Sequence, residues 1–539
     1  MLKKRKSNVL LLPSALTPLV VASAALFTAG CGGGTDAAPT SSQTSTSSCS
    51  GLASTTVADT SFTLAKDVPA GDFTPPTGAI IKGLPAFCRV AATLKPSSDS
   101  NIKVELWLPA SWNGKYLGTG NGGLGGTIDY EAMANGLRRG FAVANTDLGT
   151  STGVASMVGH METIVDFGHR ATHLMTSLSK TLVTRFYAKG PSYSYWLGCS
   201  TGGGQGMHEA QQYPQDYDGI VAGAPGAARV PAHLSYQWAW AATQQDQTTN
   251  LTVAKRKLWA DYVMSACDAL DGLKDGVIGR PDMCKVDPAV IQCTAADAPD
   301  CLTAVQVGAL QRIYSGPVNP VTGAQLSYGY LHGTELDFST AAPTPNAAPP
   351  FPFPFQWIWG VNWDWKRFNW ASDVDVMHNT LDFAVDASNP DLSAFAAHGG
   401  KLIVFQGLAD GIQVPGAAIA YRQSVEKAMP GQSDRFMKLF TVPGMDHCSN
   451  GAGPNVFGNL NPGFPITPDD PTHDLLAAAQ YWVEKGRVPD QIIATKYADN
   501  SPAGAIERTM PLCPWPKVSQ YNGNGDVNSA DSFSCVDPS

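Results

Sequence analysis

Residues 198–206 read GCSTGGGQG and follow directly on the apolar run Tyr193-Ser194-Tyr195-Trp196-Leu197. One serine among glycines fits G-x-S-x-G, in which a nucleophile sits on a strained turn between a strand and a helix. The glycines let neighbouring backbone approach, and the helix N-terminus behind the serine favours negative charge. Ser200 is therefore the candidate nucleophile; the bland alternative is a glycine-rich turn that serves packing only. A serine hydroxyl attacks only when a base takes its proton, and the base needs a third group to hold its tautomer. Where the nucleophile sits on such a turn, the chain order is serine, then acid, then histidine. Among ten histidines, His447 lies in VPGMDHCSN directly after the strand-like RFMKLFTV, where a strand end would deliver a base. Asp410 follows KLIVFQG in the same manner. Asp446 competes for the acid role, but residues adjacent in an extended loop seldom face one another. His169 and His173 share a helix face and read as structural.

An oxyanion needs backbone N–H donors aimed at the tetrahedral intermediate. Thr201, next to the nucleophile, supplies one. The run Gly118-Thr119-Gly120-Asn121-Gly122-Gly123-Leu124-Gly125-Gly126 supplies the other, with Gly123 the first choice and Gly122 the next. A phosphate cradle is the rival for that run, but no GKS or GKT accompanies it. Cysteines flank the proposed pair: Cys199 precedes Ser200 and Cys448 follows His447. If serine and histidine meet, a disulfide between these neighbours is within reach, since bridged Cα atoms lie roughly 4.4 to 6.8 Å apart. Of the 11 cysteines, local loops suggest Cys267 with Cys284, Cys293 with Cys301 and Cys513 with Cys535, although sequence alone does not fix the pairing. With Cys31 set aside, Cys49, Cys88, Cys199 and Cys448 remain, two unrelated buried thiols being the alternative for Cys199 and Cys448. None shows the CxxC spacing of a zinc site. One acidic loop, Cys267 to Val277, places Asp268, Asp271 and Asp275 three and four residues apart with glycines between them. Such a loop can wrap a calcium ion. It lacks the EF-hand pattern, and a solvated acidic turn is the alternative.

These residues need a scaffold. The chain has 539 residues, 43% of them apolar and 15% charged, with 13 tryptophans, so it can bury a large core. A formal charge of −9 offers no basic footprint for nucleic acid. The first residues carry Lys3-Lys4-Arg5-Lys6 and then an apolar stretch ending Leu26-Phe27-Thr28-Ala29-Gly30-Cys31. That is an export signal. Its end resembles a bacterial lipobox with Cys31 as the lipidated residue, although Thr28 stands where an aliphatic residue is usual; simple cleavage with loss of Cys31 is the alternative. Either way the reading is an exported protein, an outer-membrane or periplasmic lipoprotein or a secreted protein, whose only membrane contact is the anchor. Residues 32–50, rich in Gly, Ser and Thr, read as a tether. Beyond them, strand patterns at 103–108, 115–118, 140–145, 193–197 and 218–223 alternate with helical patterns at 161–187 and 203–212. Alternation of this kind predicts an α/β fold with a mostly parallel sheet covered on both faces. From 226 to 393 it disappears, and it resumes at Lys401. The predicted organisation is a catalytic domain of residues 51–225 and 394–539 with a lid, 226–393, inserted between its halves.

Taken together, Cys199-Ser200, Asp410, His447-Cys448 and the segment Ala222-Gly223-Ala224-Pro225 resemble the tannase and feruloyl esterase family, which includes a bacterial hydrolase of monohydroxyethyl terephthalate. The resemblance runs from about Cys49 to the C-terminus. It implies an α/β-hydrolase with Ser200, Asp410 and His447 catalytic, a Cys199–Cys448 bridge and a Cys49–Cys88 bridge beside the three local pairs. It also implies structural calcium at Asp268, Asp271 and Asp275 and the carbonyls of Leu273 and Val277, and no catalytic cofactor. Gly204 stands where members commonly carry arginine, and Thr201 where the terephthalate enzyme has glutamate. The expected substrate is a small aromatic ester, with feruloyl or galloyl esters favoured over terephthaloyl. Lys366 and Arg367 are candidates for binding a substrate carboxylate. Trp357, Trp359, Trp363, Trp365, Phe368 and Trp370 could stack on the acyl ring or form the lid's own core. A non-catalytic lipid-anchored binding protein and a peptidase are the readings from other classes.

Overall fold

The computed structural model describes residues 47–337, 348–459 and 463–538. The export signal, Cys31 and residues 32–46 of the tether lie outside them. The packed chain begins before residue 50: Cys49 is buried and bridged to Cys88 with Cα atoms 5.5 Å apart. Ser/Thr-rich composition carries no sign of such an anchor, so the tether read from composition runs too far.

Among the described residues, nine strands form one sheet: β1 (Thr60–Val68), β2 (Phe87–Leu94), β3 (Ile102–Pro109), β4 (Lys115–Thr119), β5 (Ala142–Thr146), β6 (Tyr193–Cys199), β7 (Gly219–Gly223), β8 (Lys401–Gly407) and β9 (Met437–Val442). Their spatial order is β1-β2-β3-β5-β4-β6-β7-β8-β9. The pairs up to β3–β5 are antiparallel and the rest parallel. The parallel half is covered on both sides, which is why its strands read as apolar runs. Trp196, Ile220 and Val404 pack with the helix Ala171–Tyr187 and the helix Thr201–Gln212 on one face. Tyr195, Val221 and Phe405 pack with the helices Tyr130–Arg138 and Leu475–Lys485 on the other. That last helix is fixed by a buried ion pair: Arg139 Nη1 and Nη2 reach Asp474 Oδ1 and Oδ2 at 2.9 and 2.6 Å, and Asp474 also caps Ala477 N–H.

The long segment between the neighbouring strands β7 and β8 holds helices, among them Arg229–Thr243, Val253–Cys267, Ala304–Ser315 and Asp373–Val385, and no strand among its described residues. It has a core of its own around Trp259, Val263, Leu310 and Ile313. Val230, Leu234 and Phe353 join it to the sheet's core. All five expected bridges are formed, Cys267–Cys284, Cys293–Cys301, Cys513–Cys535 and Cys199–Cys448 beside Cys49–Cys88. No described helix is long and apolar enough to cross a membrane.

Candidate active site

The chain after β4 goes to β5 on one side of it, while β6 lies on the other, so the strand order turns there. In open α/β sheets, crevices at the strand ends of such a point are where ligands bind. Both glycine segments end up there. Ser200 has φ +62° and ψ −121°, a backbone state costly for a residue with a Cβ. It is held by Ser200 N–H donating to Gly223 C=O at 2.9 Å and by Ser200 C=O accepting from the N–H groups of Gly204 and Gly226, both at 3.0 Å. The loop after β4 lies directly on the first turn of the elbow helix Thr201–Gln212. A Cβ on Gly120 would stand 2.4 Å from the Gly202 Cα, so neither glycine tolerates a side chain without movement. Gly202 N–H donates to Asn121 C=O at 2.7 Å, and Thr201 Oγ1 donates to Gly123 C=O at 2.6 Å. The family's arginine position is likewise closed here, because a Cβ on Gly204 would meet the Gly226 carbonyl oxygen at 2.9 Å.

His447 reaches the same crevice from the loop after β9. Its Nδ1 lies 2.9 and 3.1 Å from Asp410 Oδ2 and Oδ1. Asp410 is wholly buried and immobilised: Oδ1 accepts from Ile412 and Gln413 N–H at 2.8 Å each, and Oδ2 from Gln406 Nε2 at 3.0 Å. Burial disfavours the imidazolium of His447, but the Asp410 carboxylate outweighs it and raises the pKa above 6.5. Asp446 does not take this place; burial, with Asp337 and Asp410 nearby, pushes its own pKa up to about 7. The Cys199–Cys448 bridge, Cα atoms 6.0 Å apart, ties the histidine loop to the elbow.

Ser200, Thr201, Gly122, Gly123 and His447 line one cavity of about 310 Å³. Its remaining wall was not legible in the sequence. Arg229, His233 and Tyr236 come from the helix Arg229–Thr243, and Phe351 and Phe353 from the segment that follows the undescribed stretch. Lys366 and Arg367 are exposed and outside this cavity. The tryptophan-rich run mostly packs against other aromatic side chains. Trp357 and Phe368 are buried in the sheet's core with Trp363 and Trp370 against it. Trp363 stacks on Phe355 at 4.3 Å, Trp365 meets Trp240 at 4.7 Å, and Phe368 meets Trp370 at 5.0 Å, while Trp359 is exposed. His169 and His173 sit behind the elbow helix, bonded to Tyr213 Oη at 2.8 Å and Asp216 Oδ2 at 2.7 Å.

In the acidic loop, Asp268 accepts from Gly276 N–H at 3.1 Å, Asp271 from Leu273 N–H at 2.9 Å, and Asp275 pairs with Arg508 at 2.5 Å. Burial and the charges of Asp275 and Asp268 push the Asp271 carboxyl up to about 6. Arg508 pairs with Asp275, and Arg280, paired with Asp282, lies near Asp271, so the carboxylates outnumber the arginines beside them and form a donor set that suits a hard cation. Their oxygens do not converge as tightly as those of His173, Glu209 and Asp216, which lie within 4.8 Å of one another. A second cavity of about 350 Å³ is lined by residues of this loop together with Trp515 and Phe533.

A covered sheet of this order, with a strained serine turn where the order reverses, defines an α/β-hydrolase. Within that class the family described as "Tannase and feruloyl esterase" matches residues 88–349 and 360–536, and the chain belongs to it. An uncharacterized esterase of Xanthomonas campestris is 37% identical over 533 residues, covering 91% of each chain. The crystal structure of feruloyl esterase B from Aspergillus oryzae superposes with a TM-score of 0.84 at 29% identity, covering 90% of this chain and 99% of that one. The tannin acyl hydrolase of Aspergillus niger shares the fold with a TM-score of 0.71 at 21% identity, over 91% and 96% of the two chains. The protein is a carboxylic ester hydrolase.

Proposed function

We propose that the protein hydrolyses esters of phenolic acids through an acyl-enzyme formed on Ser200. The observation that carries this reading is the Asp410–His447 pair, held over the serine turn by the Cys199–Cys448 bridge. His447 takes the Ser200 proton as Oγ attacks the ester carbonyl, and gives it to the alcohol as the C–O bond breaks. Asp410 keeps Nδ1 protonated and stabilises the imidazolium. The amides of Thr201 and of Gly123, with Gly122 next to it, receive the oxyanion. Water, deprotonated by His447, then releases the acid. The similarity to feruloyl esterase B supports a phenolic acyl group, and the aromatic wall of Tyr236, Phe351 and Phe353 supports a flat one.

Asp268, Asp271 and Asp275, with the carbonyls of Leu273 and Val277, would hold structural calcium, whose role is to neutralise the acidic loop. Export, with Cys31 as a lipid anchor, agrees with five disulfides, which persist in oxidising compartments. A fluorophosphonate probe tests the nucleophile: it should label Ser200, and Ser200→Ala should lose both labelling and hydrolysis of methyl ferulate. Activity that survives Ser200→Ala would refute the reading.

A further inference from the structure

Arg229 is an unusual neighbour for an ester-hydrolysing serine. Its side chain is buried, 7% exposed as a residue, and among the described residues no carboxylate pairs with it. Among the described residues Thr201 Oγ1, at 3.4 and 3.5 Å from Nη2 and Nη1, is its sole hydrogen-bond contact, and Nε has none. The Phe167 ring lies under the guanidinium with 5.3 Å from Cζ to the centroid. A buried cation without a counter-charge is costly, and burial draws its pKa down to about 10. Its planar fork of donors is thus held in the cavity wall with most of its hydrogen-bonding capacity unused.

One helical turn on, His233 presents the complementary group. Its Nδ1 lies 2.8 Å from Phe351 C=O, which can only accept, so Nδ1 carries the proton and Nε2 is a bare acceptor. That Nε2 is buried and has no partner among the described residues. Burial, then the Arg229 charge, hold the ring neutral. Phe351 is itself at φ +46°, a strained state for a bulky residue, which the surrounding structure must enforce. Residues i and i+4 lie on one helix face, and both line the cavity that holds Ser200.

We propose that Arg229 and His233 form a subsite for a hydroxyl group on the aromatic ring of the acyl moiety. The hydroxyl oxygen accepts from Arg229 and its hydrogen is donated to His233 Nε2. A donor and an acceptor side by side match a group that both accepts and donates. A carboxylate fits less well, because one of its oxygens would face the His233 Nε2 lone pair. Tyr236, Phe351 and Phe353 provide the flat walls that a ring bearing the hydroxyl needs. The inference rests on the esterase reading above and names which atoms of its substrate are recognised.

The test compares methyl 4-hydroxycinnamate with methyl 4-methoxycinnamate, which cannot donate from that oxygen. The wild-type enzyme should prefer the hydroxyl ester in kcat/KM by about 100-fold or more, because a site built around a hydroxyl strongly rejects analogues lacking it. Arg229→Met and His233→Phe should each bring the ratio toward unity, and Arg229→Lys should restore part of it. A ratio near unity in the wild type overturns the proposal. So does an equal loss of kcat on both esters in Arg229→Met, which would make Arg229 a support for Thr201. Preference restored by 2-hydroxyethyl 4-methoxycinnamate would assign the subsite to the alcohol side and overturn the ring assignment. Calorimetric binding of the two methyl esters to Ser200→Ala and to Ser200→Ala with Arg229→Met reads the subsite without turnover. Selective binding without hydrolysis by the wild type would refute the esterase reading and keep the subsite; hydrolysis without selective binding would do the reverse.

Discussion

Cys199 and Cys448 are bridged with Cα atoms 6.0 Å apart, and each is the immediate neighbour of a residue of the candidate site, Ser200 and His447. The bridge joins the end of β6 to the loop after β9, 249 residues apart in sequence, so it acts on both the proposed proton-transfer geometry and the entropy of the unfolded chain. Cys199→Ser with Cys448→Ser should lower stability by about 2 to 5 kcal/mol. It should also lower kcat more than it changes KM, because the histidine loop loses its tether while the cavity walls remain. Denaturant unfolding beside steady-state kinetics measures both, and an unchanged kcat would show that the loop is positioned without the bridge.

The pH profile follows from the raised pKa of His447. With His447 as the proposed base, its protonated form cannot take the serine proton, so activity should be lost as pH falls through its folded-state pKa. The acid limb of kcat/KM should therefore have its midpoint above 6.5, the ordinary histidine value. Asp410→Asn removes the charge that raises it. That variant should shift the midpoint down and lower kcat by about 10⁴-fold, the scale seen when the acid of a triad is neutralised.

Thr201 Oγ1 donates to Gly123 C=O and contacts Arg229. Thr201→Val should leave that carbonyl unpaired and loosen the oxyanion loop against the elbow helix, with a loss of about 1 to 3 kcal/mol in transition-state stabilisation. Ester hydrolysis at saturating substrate reads this directly. Retention of full kcat would mean that the packing of Gly120 on Gly202 alone holds the loop.

Removal of calcium by a chelator should lower Tm, because an ion that binds only the folded loop contributes about 2.7 kcal/mol at a hundredfold excess over Kd. Calcium should restore it better than magnesium, which demands stricter geometry. Asp271→Asn should abolish the response. A Tm indifferent to chelation would leave the acidic loop as a solvated turn braced by Arg508.

Arg139 and Asp474 are both almost wholly inaccessible and joined by two hydrogen bonds. Asp474→Asn should destabilise the fold by about 3 to 5 kcal/mol, because it leaves the guanidinium buried without its counter-charge. Thermal unfolding would show it, with little effect on KM, since neither residue lines the active-site cavity.

The elbow was legible because its signal is local: an apolar strand, a serine among glycines and a helical pattern lie within about twenty residues. Asp410 and His447 were legible for a related reason, since each follows a run recognisable as a buried strand, and parallel strands deliver their ends to one edge of a sheet. The Cys199–Cys448 pairing became legible through the same placement and the three local pairs through short loops, whereas Cys49–Cys88 came only from the family resemblance. The tryptophan-rich run was ambiguous, because aromatic residues serve a core and a ligand wall equally well; Trp357, Trp363, Phe368 and Trp370 join the sheet's core, and none of the run lines the cavity of Ser200. Lys366 and Arg367 looked suitable by charge alone, and the fold leaves them in solvent.

Sequence by itself determined the class of chemistry, since periodicity, turn residues and chain order are properties of short segments. Only the tertiary structure decided what surrounds Ser200, the proposed nucleophile. Arg229 and His233 are ordinary members of a helical pattern until that helix is laid over the strand ends, and a cavity wall is made by segments that meet across more than a hundred residues. Whether a buried cation has a counter-charge depends on every element packed around it, and no local pattern contains that information.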